Sequence, residues 1–203
     1  MNKIITISRE FGSGGRELGR RIANELGFAY YDKEIVKEIS KRTPFSEDYV
    51  KNVMDNNPVP LFPIHTGQSF SPMSNAIFEQ NMQIYDEQTK LIRELANKSS
   101  CVIVGRCADY ILEDMNPYRI FVYATMDAKI ARCRSREEVG HEFLTDKKFA
   151  KKIKKIDKGR AKYYNFFTSQ VWGDRENYDL MVNTTSRDIK HLAETIAEGI
   201  KKI

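Results

Sequence analysis

The chain has 203 residues, 41% of them hydrophobic and 30% charged, with a mean hydropathy of −0.54; it is long enough to bury one core and too polar to span a membrane. Its 33 Lys and Arg against 28 Asp and Glu leave +5, so charge alone suggests an anionic partner and argues only weakly for nucleic acid. The opening MNKIITISRE carries too short an apolar run for a signal peptide, and Cys101, Cys107 and Cys133 form no C-x-x-C pair, so reduced thiols and a cytoplasmic location are expected. His65, His141 and His191 keep no metal-ligand spacing with one another or with the cysteines, which argues against zinc chemistry.

In chain order, Ile4–Ile7 reads as a strand buried on both faces. A glycine cluster follows, and then Leu18, Ile22 and Leu26 form one apolar helical stripe ending at Gly27, placed as a C-terminal cap. Phe28–Tyr31 is a second strand closing on Asp32, and Ile35, Val36 and Ile39 predict a helix to about Lys41, broken by Pro44. Between Asn56 and Pro72 lie Pro58, Pro60, Pro63 and Pro72 without periodicity, a functional flap or an unstructured insert. Ile77, Phe78, Met82, Tyr85, Ile92, Leu95 and Ala96 predict a long amphipathic helix of roughly six turns. Strands are then predicted at Cys101–Val104, Arg119–Ala124 and Asp179–Asn183, with a charged helical region between the last two. A final helix has Thr185 and Asp188 spaced as a capping box and Ile189, Leu192, Ile196 and Ile200 on its inner face. Short apolar strands alternating with helices predict a doubly wound α/β fold with a parallel sheet.

Ligands of open parallel sheets sit beyond the carboxyl ends of the strands, so the residues just after each strand are the informative ones. After the first strand comes Ser8-Arg9-Glu10-Phe11-Gly12-Ser13-Gly14-Gly15-Arg16. Its glycines allow backbone N–H groups to curl round an anion at a helix N-terminus, the alternative being a simple flexible turn. Tyr30, Tyr31, Asp32 and Lys33 close the second strand, where stacking and carboxylate recognition compete with ordinary packing. Gly105-Arg106 closes the third, with Asp109 three residues on; a guanidinium there suits bidentate phosphate recognition. Arg132, Arg134 and Arg136, followed by a lysine-rich run from Lys147 to Lys162 that includes Arg160, read either as a solvated helix face or as a lid closing over phosphates.

The motifs SREFGSGGREL, LGFAYYDKEIV, VIVGR, IDKGRAKYY and YDLMVNTT, taken in order, resemble the P-loop nucleoside monophosphate kinases, most closely the cytidylate kinase-like family. The resemblance implies one domain over 1–203, a P-loop three-layer α/β sandwich with a five-stranded parallel sheet, an acceptor-binding helical segment over about 33–98 and a lid over about 132–175. It implies ATP and Mg2+ as cofactors and nucleotides as substrates. Gly12, Ser13, Gly14 and Gly15, with Arg9 and Arg16, would hold the donor phosphates; Asp32, Arg106 and Asp109 would meet the acceptor. Asp157 and Arg160 match the family's lid pair, beside Arg132, Arg134 and Arg136, and Arg16, Arg106 and Arg160 would carry transition-state charge. The chain departs from G-x-x-x-x-G-K-[ST]: Arg9 replaces the first glycine, Gly15 the lysine and Arg16 the metal-binding hydroxyl. Ser13 is then the candidate metal-side hydroxyl. Val104 stands where the family carries a carboxylate, and Asn183 replaces an aspartate.

The expected activity is ATP-dependent phosphoryl transfer to a nucleoside monophosphate, CMP or dCMP by resemblance. The alternatives are a nucleotide-binding regulator with weak or no turnover and, more remotely, a basic nucleic-acid binder. The long helix from Ile77 and the pair Phe166 and Phe167 would serve either a homo-oligomer surface or the core.

Overall fold

The computed structural model describes residues 2–56, 72–135 and 145–202. Strands β1 (Ile4–Arg9), β2 (Ala29–Tyr31), β3 (Cys101–Val104), β4 (Tyr118–Tyr123) and β5 (Leu180–Asn183) form one parallel sheet in the order β2-β3-β1-β4-β5. The apolar strand runs follow from covering both faces, because alternate side chains enter different cores. Ile5, Ile7, Val102, Val104, Ile120 and Val122 pack with α1 (Gly15–Leu26) and α8 (Ile189–Lys201) on one face. Ile4, Cys101 and Ile103 turn to the other, which α2 (Glu34–Arg42), α3 (Glu47–Asn56), α4 (Pro72–Lys98), the short α5 (Ala108–Ile111) and α7 (Asp146–Thr168) cover. A third, smaller cluster joins α6 (Met126–Arg134) to α7 through Ile130, Phe149 and Ile153.

The five predicted strands and their order along the chain are found, shifted by a residue at some ends and with β1 running two residues further, to Arg9. Gly27 caps α1 at φ +67°. Three expectations need correction. Helix α3 was absent from the sequence reading although Val50, Val53 and Met54, at i, i+3 and i+4, are its buried face. Helix α4 spans 27 residues, about a turn and a half more than the roughly six turns its apolar stripe suggested. Asp188, not Thr185, caps α8, its carboxylate accepting from the Lys190 and His191 amides, while the Thr185 hydroxyl accepts from the Thr125 amide. The inner face of α8 is as expected: Ile200 is buried and Ile189, Leu192 and Ile196 pack half-buried against the same core, with Ala193 and Ala197 fully buried among them. Phe167 is core: it stacks on Tyr85 at 4.1 Å and 7° and packs against Tyr163. The proline-rich segment short of Pro72, and Arg136, lie outside the described residues.

Among the described residues no helix is long and apolar enough to cross a membrane. The pairing of β1 with β3 ends at Ile7 opposite Val104, with the Gly105 amide donating to the Ile7 carbonyl at 2.9 Å, while β1 runs on beside β4 to Arg9 opposite Val122. The expected site residues 9–16, 32 and 105–106 therefore leave the sheet along one edge.

Candidate active site

At the end of β1 the chain leaves the sheet at Glu10, whose amide donates to the Val122 carbonyl at 3.0 Å, and enters α1 at Gly15. Gly12 and Gly14 take φ +78° and +84°, a left-handed conformation that is strained for any side-chain-bearing residue. Gly14 caps α1 without a side chain, so the first-turn amides keep the positive end of the helix for an anion. The loop is held from behind. The Ser13 hydroxyl donates to the Glu10 carbonyl at 2.9 Å, Thr184 Oγ1 donates to the Ser13 carbonyl at 2.6 Å, and Arg132 donates to the Gly12 and Thr184 carbonyls at 2.8 and 3.1 Å. Asp157 of α7 accepts from the Phe11 amide at 2.6 Å. Lys129, buried on α6, lies 3.0 Å from Glu10 and 3.5 Å from Asp157. Burial raises the Asp157 carboxyl above its ordinary value, and the Phe11 amide and the neighbouring cations offset part of that.

Asp32, 4% exposed at the end of β2, faces two guanidiniums: Arg16 Nε lies 2.5 Å from Oδ2 and Arg9 Nη2 lies 3.8 Å from Oδ1. After β3, Gly105, Arg106 and Cys107 have φ of +74°, +61° and +53°. Two consecutive non-glycine residues in this region mark a strained turn of the kind that gathers at functional sites. Gln88 of α4 pins it, donating from Nε2 to the Arg106 carbonyl at 3.0 Å and accepting from the Tyr163 hydroxyl at 3.2 Å. The turn aims the buried Arg106 guanidinium at Asp55 of α3, 3.1 Å away, and leaves Arg106 Nε without a partner.

Arg160 reaches in from α7. Its Nη1 donates to the Arg9 carbonyl at 3.1 Å, lies 3.6 Å from Asp157, and its guanidinium sits over the Phe11 ring. Burial lowers the basicity of Arg9 and Arg160, and Arg106 and Arg16 push both further down while carboxylates oppose the shift. A group of four guanidiniums, Arg9, Arg16, Arg106 and Arg160, with Asp32, Asp55 and Asp157 as neighbours, is suited to a polyanion.

Other expected residues stand elsewhere. Asp109 lies beneath the cavity wall, 3% exposed, accepting from the Tyr164 hydroxyl at 2.9 Å. Arg134 is a surface residue that pairs with Asp146 and bridges α6 to α7. The lysines at 147, 148, 151, 152, 154, 155, 158 and 162 are solvent-exposed, and the buried face of α7 is Phe149, Ile153, Gly159, Tyr163, Tyr164 and Thr168. Most of the charge run is a solvated face, with Lys152 and Arg160 as its contribution to the cleft. The sequence reading missed Lys129 and Asp55. A lone lysine on α6 gives no signal, whereas the spacing of α3 would have revealed the element carrying Asp55.

Two cavities meet here. A groove of about 590 Å³ runs over the glycine loop between Arg16, Lys33, Arg132, Phe149 and Ile156, large enough for a nucleotide. Next to it, Ser8, Asp55, Arg106, Cys107, Tyr163 and Trp172 line a space of about 30 Å³, the share of one water molecule. A wider groove of about 700 Å³ lies at the opposite, amino-terminal edge of the sheet, far from the glycine loop, and its Arg119 is already paired with Asp179. The carboxyl edge, where ligands of open parallel sheets sit, holds the candidate site.

The sequence model of the cytidylate kinase-like family matches residues 4–186, nearly the whole chain. The chain belongs to the cytidylate kinase-like family. A protein named cytidylate kinase from Thermoplasma acidophilum is 26% identical over 201 residues, 98% of this chain and 93% of that one. An uncharacterized protein from Eubacterium ventriosum, solved by crystallography, superposes over the full length of both chains with a TM-score of 0.71 at 28% identity. Shikimate kinase from Acinetobacter baumannii, at 16% identity, has a TM-score of 0.54 over all of this chain and 94% of its own, and so shares the P-loop kinase fold. Fold and family together are kinase-like.

Family membership implies a magnesium ion, but these side chains make it a poor seat. The Ser13 hydroxyl is fully buried and turned into its own loop, and position 16, where the P-loop pattern has a metal-binding hydroxyl, is an arginine bound to Asp32. Asp32 Oδ1 lacks a hydrogen bond, but the carboxylate's charge is already met by the Arg9 and Arg16 guanidiniums, which repel a further cation. Among the described residues no group of three or more His, Cys, Asp or Glu side chains is placed to hold a metal.

Proposed function

We propose that the protein transfers the γ-phosphoryl group of ATP to a nucleoside monophosphate, with CMP or dCMP the acceptors favoured by kinship. The observation that carries this reading is the meeting of the glycine loop with four guanidiniums where the nucleotide-sized groove joins the small cavity. The donor's phosphates lie on the amides of residues 12–16, neutralised by Arg9 and Arg16. Arg106 takes the acceptor's phosphate, displacing Asp55, and Asp32 fixes the guanidiniums that frame it. Arg160 closes from α7, tied through Asp157 to the Phe11 amide, so that lid position and loop shape are one linked event. No general base is required, because in-line positioning and charge neutralisation carry most of the rate in phosphoryl transfer. Any magnesium arrives on the nucleotide, coordinated by phosphates and water, rather than in a protein cage.

A coupled assay of ADP release across all common NMPs and dNMPs tests the reading. Acceptor-dependent turnover is expected, and the absence of stimulation by any acceptor in folded protein refutes it. The water-sized second cavity favours one other reading, a nucleotide-binding regulator. That protein would gain about 2.7 kcal/mol of stability at 100 times the dissociation constant of its nucleotide and turn nothing over.

A further inference from the structure

The P-loop lysine is missing from its usual place, and the surroundings of that place show what fills it. Gly15 occupies the position that the P-loop pattern gives to lysine, and a Cβ built on it would lie 2.6 Å from Arg9 Cβ and 3.1 Å from Arg9 Cγ. The first of these atoms is fixed to the backbone of β1 and cannot swing aside, so position 15 takes no side chain while position 9 has one. The far end of Arg9 is accommodated in the same way. A Cβ on Gly105 would meet Arg9 Nη1 at 1.8 Å and Cζ at 2.9 Å. Two glycines, one at the start of α1 and one after β3, thus leave a channel that the Arg9 side chain fills from base to tip.

The tip emerges at a particular place. Among the described residues only Arg9, Asp55 and Arg160 line both the nucleotide-sized groove and the small cavity. Asp32 holds one edge of the Arg9 guanidinium at 3.8 Å, and Arg160 anchors its carbonyl at 3.1 Å. Arg16, by contrast, stands half-exposed on the loop's outer side, with its Nε committed to Asp32.

We infer that Arg9, threaded between Gly15 and Gly105, is the catalytic cation of this site, meeting the transferring phosphoryl group in place of the P-loop lysine. The inference rests on the phosphoryl-transfer reading above. In the step it serves, an acceptor phosphate oxygen forms a bond to the γ-phosphorus as the β,γ-bridging oxygen departs with the bonding pair, giving ADP and a nucleoside diphosphate. Arg9 gives or takes no proton and supplies charge and hydrogen bonds to the non-bridging oxygens. Approaching from the strand side, it brings to those oxygens a planar fork where a lysine would bring a point charge.

A side-chain swap tests the assignment, read by ATP titration calorimetry and by turnover, with circular dichroism confirming that each variant is folded. Arg9→Gly should weaken ATP binding by about tenfold or more and reduce turnover by about a hundredfold or more. Gly15→Lys in the wild-type background should bring no gain, because Arg9 blocks the side chain. The double variant R9G/G15K should recover at least about tenfold in ATP affinity over R9G, since the two Arg9 atoms no longer block the lysine and only Val122 Cβ, 3.1 Å from a Cβ at position 15, has to give by a few tenths of an ångström. Gly105→Ala, which displaces the Arg9 tip and also puts a side chain at φ +74° in the turn that carries Arg106, should lower turnover while Arg9 remains. Retention of wild-type ATP affinity by folded R9G, or a double variant no better than R9G, overturns the inference. If the wild-type protein binds ATP but phosphorylates no acceptor, the kinase reading fails, and the ATP affinities of R9G and R9G/G15K still decide the role of Arg9.

Discussion

Replacing Asp109 with asparagine should remove a pH-dependent penalty on folding. Asp109 is 3% exposed on α5; one oxygen accepts from the Tyr164 hydroxyl and the other has no partner. Burial pushes its pKa up from 3.8 to about 6, with the Tyr164 hydroxyl and local amides opposing the rise. A carboxyl with a raised folded-state pKa binds its proton more tightly folded than unfolded. It therefore favours the folded state below the unfolded value, and that contribution is lost as the pH rises from about 4 through about 6. A shift of about two units, at 1.36 kcal/mol each, makes the full difference about 3 kcal/mol. Asparagine is neutral throughout and still offers a carbonyl to Tyr164. Urea denaturation at a series of pH values between about 4 and 7.5 should show the stability of Asp109→Asn gaining on wild type by up to about 3 kcal/mol, nearly all of it below pH 7. A constant difference across the series would mean that the carboxyl is ionised at no special cost and that the packing around Tyr164 has been misread.

Three further outcomes follow from the site. Asp55→Ala frees Arg106; since the Asp55 side chain is 39% exposed, the pair is worth under about 1 kcal/mol and the acceptor KM should fall by no more than about fivefold. A rise in KM would show that Asp55 binds the acceptor instead of yielding to it. Arg160→Met should reduce kcat by at least about a hundredfold with a smaller change in the KM for ATP, measured by steady-state kinetics; an unchanged kcat would remove α7 from the chemistry. Gly12→Ala forces a side chain into φ +78° with its Cβ 3.0 Å from Cys133 Sγ and 3.1 Å from the Lys129 carbonyl. That should cost about 1–2 kcal/mol and lower both the thermal midpoint and ATP affinity, and an unaffected variant would show that the loop tolerates a different shape.

The sheet was legible because its central strands are covered on both faces, so β3 appears in the sequence as the apolar run Cys101–Val104 and β1 as Ile4–Ile7 broken only by the buried Thr6. The strand-end rule then located Arg9, Gly12–Arg16, Asp32 and Arg106 correctly along the carboxyl edge. Asp109 escaped it because three residues of strained turn and one of helix carry its carboxylate under Tyr164 rather than into the cleft. The capping of α8 was misassigned because two capping residues, Thr185 and Asp188, stand three apart, and only the backbone direction after β5 decides between them. The identity of the cation replacing the P-loop lysine was open between Arg9 and Arg16 for a physical reason. Both are charged and flank the loop, and the choice depends on the space over two glycines that belong to different elements, which no local pattern reports.

The central claim is that this cleft moves a phosphoryl group from one nucleotide to another. Incubation with ATP labelled at the γ-phosphorus, together with a mixture of nucleoside monophosphates, followed by chromatographic separation, tests it directly. Label is expected in a nucleoside diphosphate, with CMP or dCMP as the leading acceptor and the signal abolished by Arg160→Met. Label that stays in ATP, or appears only as inorganic phosphate, would contradict it.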